Sequence, residues 1–221
     1  MSNDSFIREV NEEIRQDQAR ALWERFGPAF IVAAVVVVLA TAAYVGYDYW
    51  VQGKANASGD AFSQALVLAN DGKTDEALAA LKAIEDDSYG AYPILARMRA
   101  ATVLADKGDF AGAVTGFDAV TADNAIPQSL RDMARLRAGF ILVDTGSYDD
   151  VSARVETLAA DTNPLRHAAR EALGLSAWKA GRAADALKFF DQIADDQGVP
   201  RNTSDRARLL AELIRGSGSA S

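Results

Sequence analysis

One histidine and several paired carboxylates are the side chains of this chain best suited to chemistry. His167 is the only histidine among 221 residues, and there is no cysteine. Without a second His or any Cys, His167 cannot complete a familiar zinc site or activate a thiol nucleophile. We therefore interpret His167 as a surface residue just inside a helix that begins after Asn163.

Three pairs of adjacent aspartates fall at predicted helix ends or turns, where short polar side chains accept hydrogen bonds from free backbone amides. We expect these pairs to be solvated; they are Asp86–Asp87, Asp149–Asp150 and Asp195–Asp196. The segment Gly72–Thr74 resembles the end of a phosphate-binding loop, but Val67 stands where that loop needs its first glycine. We predict no catalytic residue, no metal and no cofactor, so the chain is expected not to be an enzyme.

The elements that position these residues begin with a long apolar run near the N terminus. Gly27 to Tyr47 contains no charged residue, and at about 1.5 Å per residue it measures about 30 Å, the thickness of a bilayer's hydrocarbon core. Tyr and Trp side chains crowd its far end, as they do at membrane interfaces. The sequence predicts a transmembrane helix over residues 27–50.

The positive charges beside this span predict its orientation, since Lys and Arg near a span stay on the cytoplasmic side. Lys54 is the only cation within twenty residues after the span. The cations before it are Arg8, Arg15, Arg20 and Arg25. We predict a cytoplasmic N terminus, an exterior C-terminal domain and single-pass anchoring in a bacterial inner membrane.

Residues 1–26 form a predicted amphipathic leader helix in which Phe6, Val10 and Ile14 stand four apart. The helix could lie on the cytoplasmic membrane surface or dock onto a partner. A cleaved secretory precursor is the alternative to an anchor, because small residues precede Ser58 as they do at a signal peptidase site. The length of the apolar run favours the uncleaved anchor.

A glycine recurs about every 36 residues in the second part of the chain, at Gly72, Gly108, Gly146 and Gly181. Apolar residues follow each glycine at offsets of five, nine and twelve, which places them on one face of a helix. Each glycine is expected to end one helix and precede a second. The predicted buried residues of the second helices are Ala77, Leu81, Ile84, Ala113, Phe117, Val120, Val151, Val155, Leu158, Ala186, Phe190 and Ile193.

A small residue seven positions before each glycine lets the two helices of a pair approach closely; examples are Ala101 and Gly174. This spacing resembles the tetratricopeptide repeat, whose pattern is a small residue, a bulky one, the turn glycine, an alanine and a large apolar residue. The resemblance implies an all-α solenoid of helical hairpins. A helical bundle without repeats is the alternative.

The predicted domain boundaries follow from turn residues and composition. A linker over 51–57 joins the anchor to a repeat domain over 58–215, and residues 216–221 form a disordered tail. Ser204 is expected to cap a last amphipathic helix that covers the final repeat. Its apolar face is predicted to contain Ala207, Leu210, Leu213 and Ile214.

The first helices of the predicted hairpins should line the concave side of the stack. Most of their inward positions are apolar, and two of the chain's three methionines lie among them, which suits varied apolar ligands. A groove for unfolded or extended polypeptide is our hypothesis; the alternative is that these side chains pack against neighbouring helices. The predicted groove residues are Phe62, Leu66, Leu95, Met98, Thr102, Met133, Leu136, Phe140, Glu171, Leu175 and Trp178.

The arrangement of leader, anchor and repeat domain is similar to that of the YfgM-like proteins, ancillary subunits of the SecYEG translocon in Gram-negative bacteria. Residues 6–15, together with Trp23 before the anchor, resemble the leader of their alphaproteobacterial relatives. The resemblance implies a periplasmic, non-catalytic, chaperone-like protein. Its implied partners are the Sec translocon, a membrane-anchored prolyl isomerase and emerging client polypeptides.

The net charge of -8 argues against nucleic acid as a partner, because phosphate binding needs clustered Lys and Arg. A scaffold for another cell-envelope assembly complex, which would recognise one folded partner, is the alternative function.

Overall fold

The computed structural model describes residues 3–217, with side chains before Arg20 described only at Glu12, Arg15 and Asp17. The described residues form nine α-helices and one short 3-10 helix, with no strand among them, so the all-α prediction is confirmed. The helices are α1 (Asn3–Asn70), α2 (Thr74–Asp87), α3 (Tyr92–Asp106), α4 (Phe110–Ala122), α5 (Gln128–Thr145), α6 (Tyr148–Val155), α7 (Arg166–Lys179), α8 (Ala183–Ala194) and α9 (Arg201–Gly216); the 3-10 helix Glu156–Ala159 follows α6.

The chain divides into two compact units, Met1–Lys54 and Ala55–Ser221. In the first unit, α1 continues through Pro28, and the portion from Arg20 onward is long and apolar enough to cross a membrane. Its apolar side chains, such as those of Phe30 and Leu39, are exposed. Residues 51–57, expected as a linker, are helical.

Two predictions at the chain ends fall partly outside the described residues. The side chains of Phe6, Val10 and Ile14, on which the amphipathic leader rests, are among those not described. The predicted tail over 216–221 lies outside the description from residue 218 onward, and Gly216 itself is the last residue of α9.

The repeat register of the second unit follows the glycine spacing. The second helices α2, α4, α6 and α8 each begin two residues after a turn glycine. All twelve apolar residues predicted to face the core are buried, none of them more than 4% exposed. A helix with this periodicity must bury its apolar face against a neighbour, so the predicted hairpins are confirmed.

Three of the four turns use glycine for its conformational freedom, and the fourth does not. Gly72, Gly108 and Gly181 have φ of 74°, 87° and 74°, and in each turn the residue after the glycine donates its N–H to a carbonyl five residues back. This bonding satisfies the free carbonyls of the preceding helix. At the third turn, Gly146 has φ -113°, and a capping box between Ser147 and Asp150 starts α6 instead.

Each helix from α2 to α8 packs against the next one along the chain, as in a solenoid. The core is accordingly divided into four apolar clusters, and the last one lies among α7, α8 and α9. From α9 this cluster takes Ala207, Ala211 and Ile214. The predicted capping function of the last helix is therefore confirmed, because α9 covers the apolar face of the final hairpin.

Two details of the predicted last helix are wrong. The helix begins at Arg201, three residues before Ser204, and the Ser204 hydroxyl donates to the carbonyl of Ala194 rather than capping an amide. Leu213 is 52% exposed, while Ala211 occupies the buried face. The 3.6-residue period places 207, 211 and 214 on one side, so a larger residue at 213 points elsewhere.

Candidate functional site

The eleven predicted groove residues, here called the first-helix face, have unequal exposure. Met98 and Leu136 are buried, at 8% and 6% exposure, and both belong to core clusters. Leu95 and Phe140 are exposed, at 36% and 38%. The other seven are partly buried: Phe62, Leu66, Thr102, Met133, Glu171, Leu175 and Trp178. The exposed apolar surface of this face is therefore concentrated on α3 and α5.

Several partly buried members contact their own hairpins or the next. The Phe62 ring lies 5.9 Å from the Tyr92 ring between their centroids, at an angle of 53°. Met133 packs against the cluster built around Phe117. Leu175 and Trp178 pack against the last cluster, which α9 helps to form. These side chains pack within the stack, so the surface exposed to a ligand is smaller than the eleven predicted groove residues suggest.

Glu171 is held by the capping helix. Its two carboxylate oxygens each accept a hydrogen bond at 2.6 Å from the guanidinium of Arg206 on α9. This interaction raises the pKa of the Arg206 guanidinium above its usual value, because the hydrogen bonds to Glu171 favour the charged form. Glu171 therefore fastens α9 to α7.

A polar patch on α3 and α5 accompanies the exposed apolar residues, and sequence reasoning missed two of its members. Arg137 donates to the hydroxyl of Thr102 at 3.1 Å, and that hydroxyl donates to the Met98 carbonyl at 3.0 Å. Arg99 lies one helical turn before Thr102. Both arginines stand nine residues before a turn glycine, and this repeat equivalence is the signal that could have found them.

His167 does not have the expected plain surface position. Its side chain is 13% exposed, and its Nε2 lies 2.8 Å from Oδ2 of Asp196. The same carboxylate accepts from Arg166 at 2.7 and 3.2 Å and from the Gly198 amide at 2.8 Å. The expectation of a solvated Asp195–Asp196 pair is therefore wrong for Asp196, which joins the start of α7 to the loop after α8.

This network changes the titration of Asp196. The hydrogen bond from Arg166, followed by those from His167 and the Gly198 amide, holds the pKa of the carboxyl well below its usual range. Buried Arg170 extends the network by bonding the Ala159 carbonyl and the Asp161 carboxylate. These hydrogen bonds join the loop before α7 to the loop after α8.

Two of the remaining candidate carboxylates have local structural partners, and Asp87, Asp149 and Asp195 are exposed, as predicted. Asp86 accepts from Lys82 at 2.5 Å, and Asp150 completes the capping box with Ser147. Within the described part of the chain, no group of three or more His, Asp or Glu side chains is arranged to hold a metal ion. Gly72 and Lys73 belong to the turn between α1 and α2, as the sequence predicts.

Comparisons with known proteins find one matching family and a solved structure of similar fold. A family model described as a tetratricopeptide repeat-like domain matches residues 20–198. A crystal structure of the nearly identical TPR-like repeats of a Podosopora anserina protein described as a kinesin light chain is similar in fold, with a TM-score of 0.51 and 13% identity. The similarity covers 73% of this chain and 96% of that one. No curated protein matches the sequence.

Proposed function

The chain belongs to the tetratricopeptide repeat-like domain family, and from this membership we propose that it is a membrane-tethered, non-catalytic protein that binds other polypeptides. The observation that carries the proposal is the exposure of Leu95 and Phe140 on the first helices of successive hairpins. Large apolar side chains that a stack leaves exposed at equivalent helices provide contact area for an extended partner.

We propose further that the anchor holds this domain in the periplasm, beside the Sec translocon, where it meets emerging polypeptides. The excess of arginine before the apolar span supports this orientation, and the similarity to YfgM-like proteins supports the location and a membrane-anchored prolyl isomerase as a neighbour. Tethering raises the effective concentration of a weak binding face near its clients. A groove of modest affinity is then sufficient, and no cofactor or nucleotide is needed for release.

The experiment is photo-crosslinking from the full chain in native membranes. A photoreactive amino acid replaces Leu95 or Phe140, and the control carries it at Lys188, which is exposed on the second helix α8. The proposal expects crosslinks from positions 95 and 140 to many incompletely folded exported proteins, and co-purification of a translocon subunit. The control position is expected to give no such crosslinks, while the translocon subunit still co-purifies.

Three other results would change the conclusion. A single folded partner in constant ratio at positions 95 and 140 would favour the scaffold of another envelope complex. Equal crosslinking from position 188 would overturn the assignment of binding to the first helices. If no translocon subunit co-purifies with the protein, the translocon assignment is overturned. The crosslinks then decide separately whether the protein binds polypeptides.

A further inference from the structure

Among the described residues, seven cations of the repeat domain form ion pairs with carboxylates of another helix or of a loop. Such pairs include Lys107 with Asp75 at 2.7 Å, Arg154 with Asp118 at 2.8 Å and Arg215 with Asp191 at 2.7 Å. Arg131 on α5 forms no ion pair among the described residues and bonds the side chains of Asn124 and Gln128. Arg99 on α3 and Arg137 on α5 also differ from the paired cations. Among the described residues, neither has a carboxylate within ion-pair distance.

The local contacts of these two guanidinium groups are few. Arg99 reaches the Asn70 side-chain oxygen at 3.5 Å, and its Nε is buried without a hydrogen-bond partner. Arg137 is exposed, and its contact is the 3.1 Å hydrogen bond to the Thr102 hydroxyl. An arginine carries five N–H donors, and these hydrogen bonds occupy one donor of each guanidinium.

Arg99, Thr102 and Arg137 form one continuous surface, here called the arginine patch. Thr102 is three residues after Arg99, which brings the two side chains together on α3, and Arg137 on α5 bonds directly to Thr102. Exposed Leu95 lies one turn before Arg99, and exposed Phe140 lies nearly one turn after Arg137. The patch is thus bordered by an apolar residue on each helix.

We propose that the arginine patch binds a carboxylate side chain of an extended polypeptide whose flanking apolar side chains contact Leu95 and Phe140. The inference rests on the proposed polypeptide-binding function and adds the class of segment selected. Guanidinium groups match carboxylates by planar, paired hydrogen bonds, which a neutral amide cannot reproduce with the same strength. The charge complementarity is local, since the chain as a whole is acidic at -8.

The test measures binding of fluorescent peptides to the full-length protein in neutral-lipid nanodiscs. Three short peptides of Leu and Ser carry Glu, Gln or Lys at the centre and are otherwise identical. We expect the Glu peptide to bind about tenfold more tightly than the Gln peptide, equivalent to about 1.4 kcal/mol, with an advantage that declines as salt rises. The Lys peptide is expected to bind most weakly.

The double variant Arg99→Gln and Arg137→Gln should bind Glu and Gln peptides equally. A control with Lys188→Gln and Arg201→Gln also removes two positive charges, from exposed positions on α8 and α9, and should retain the preference. Since Arg99 is partly buried, the single variant Arg137→Glu provides a second test. It is expected to favour the Lys peptide, a reversal that loss of folding cannot produce.

Different failures identify different errors. Equal binding of Glu and Gln peptides to the unaltered protein overturns the arginine patch as a carboxylate site but leaves the apolar face as a peptide site. Absence of binding by all three peptides overturns the proposed function itself. If phosphatidylglycerol added to the nanodiscs displaces the Glu peptide from the unaltered protein but not the Gln peptide, the patch is a lipid site and the proposal is overturned.

Discussion

Gly174 on α7 lies directly against the ring of Phe190 on α8. A methyl group at Gly174 would stand 2.9 Å from Cζ of Phe190 and 3.1 Å from each Cε, while the ring itself is fully buried. The two helices of the last hairpin therefore approach as closely as a missing side chain allows, and the small residue seven positions before the turn glycine has a direct packing reason.

Replacing Gly174 by Ala should destabilise the repeat domain by about 1–3 kcal/mol through overpacking. Phe190→Leu alone should also destabilise, because it removes buried ring atoms. The double variant is expected to lose at least about 0.5 kcal/mol less unfolding free energy than the two single variants lose in sum, because the smaller side chain at position 190 relieves the overlap. Denaturant unfolding of the full chain in detergent measures the cycle; strict additivity would contradict the contact.

Gly181 provides a purely conformational test. Its φ is 74°, and nothing lies within 4 Å of the position a Cβ would occupy, so a substitution meets backbone strain and no clash. Gly181→Ala should cost about 1 kcal/mol in unfolding free energy, and Gly181→Asn should cost less, because Asn enters the left-handed region more readily. Equal losses for the two variants would show that the turn tolerates another conformation.

The hydrogen bonds to Asp196 predict that the folded protein loses stability at acid pH. Because its pKa is depressed in the folded protein by Arg166, His167 and the Gly198 amide, its stabilising effect is fully present above the unfolded-state pKa of about 3.9 and is lost as pH falls through the lower folded-state pKa. Asp196→Asn should lower stability at neutral pH and make the acid limb less steep.

Asp195→Asn is the matched control for this measurement, since Asp195 is the exposed neighbour at the end of α8. Thermal unfolding followed by circular dichroism between about pH 2 and pH 7 would record both variants. A full acid response retained in Asp196→Asn would show that the network around α7 does not set it.

The capping helix offers two adjacent residues of opposite exposure. Ile214 is fully buried in the last cluster, whereas Leu213 is 52% exposed. Ile214→Ala should destabilise by about 2–5 kcal/mol, while Leu213→Ala should remain within about 1 kcal/mol, as surface substitutions generally do. Chemical unfolding measures both free energies. Equal losses of unfolding free energy in the two variants would show that α9 does not pack against the domain through the face that contains Ile214.

The proposed orientation can be tested by thiol labelling, since the chain has no cysteine. Cysteine is introduced at Asp17, before the apolar span, or at Ser88, in the repeat domain. An impermeant maleimide should label Ser88→Cys in intact spheroplasts and Asp17→Cys only after the membrane is opened, because arginines retain the leader inside. The reverse pattern would overturn the periplasmic placement.

The residue pattern predicts correctly the hairpin register, the turn glycines and the buried positions of the second helices. These features depend on local rules: glycine ends a helix where φ is positive, and offsets of four and three residues bring Leu81 and Ile84 to one face. The apolar run that makes α1 long enough to cross a membrane is likewise a property of consecutive residues.

The pattern does not predict which first-helix residues remain exposed or which cations form ion pairs. Met98 and Phe140 are both large apolar residues predicted to line the groove, yet Met98 is buried and Phe140 is 38% exposed, because exposure there depends on how each hairpin packs on the next. His167 contacts Asp196, which lies 29 residues away in the chain, whereas Arg137 has no carboxylate within ion-pair distance in the described part of the chain. Both follow from packing between repeats, which sets the polar partners in a stack of helices and which no local spacing specifies.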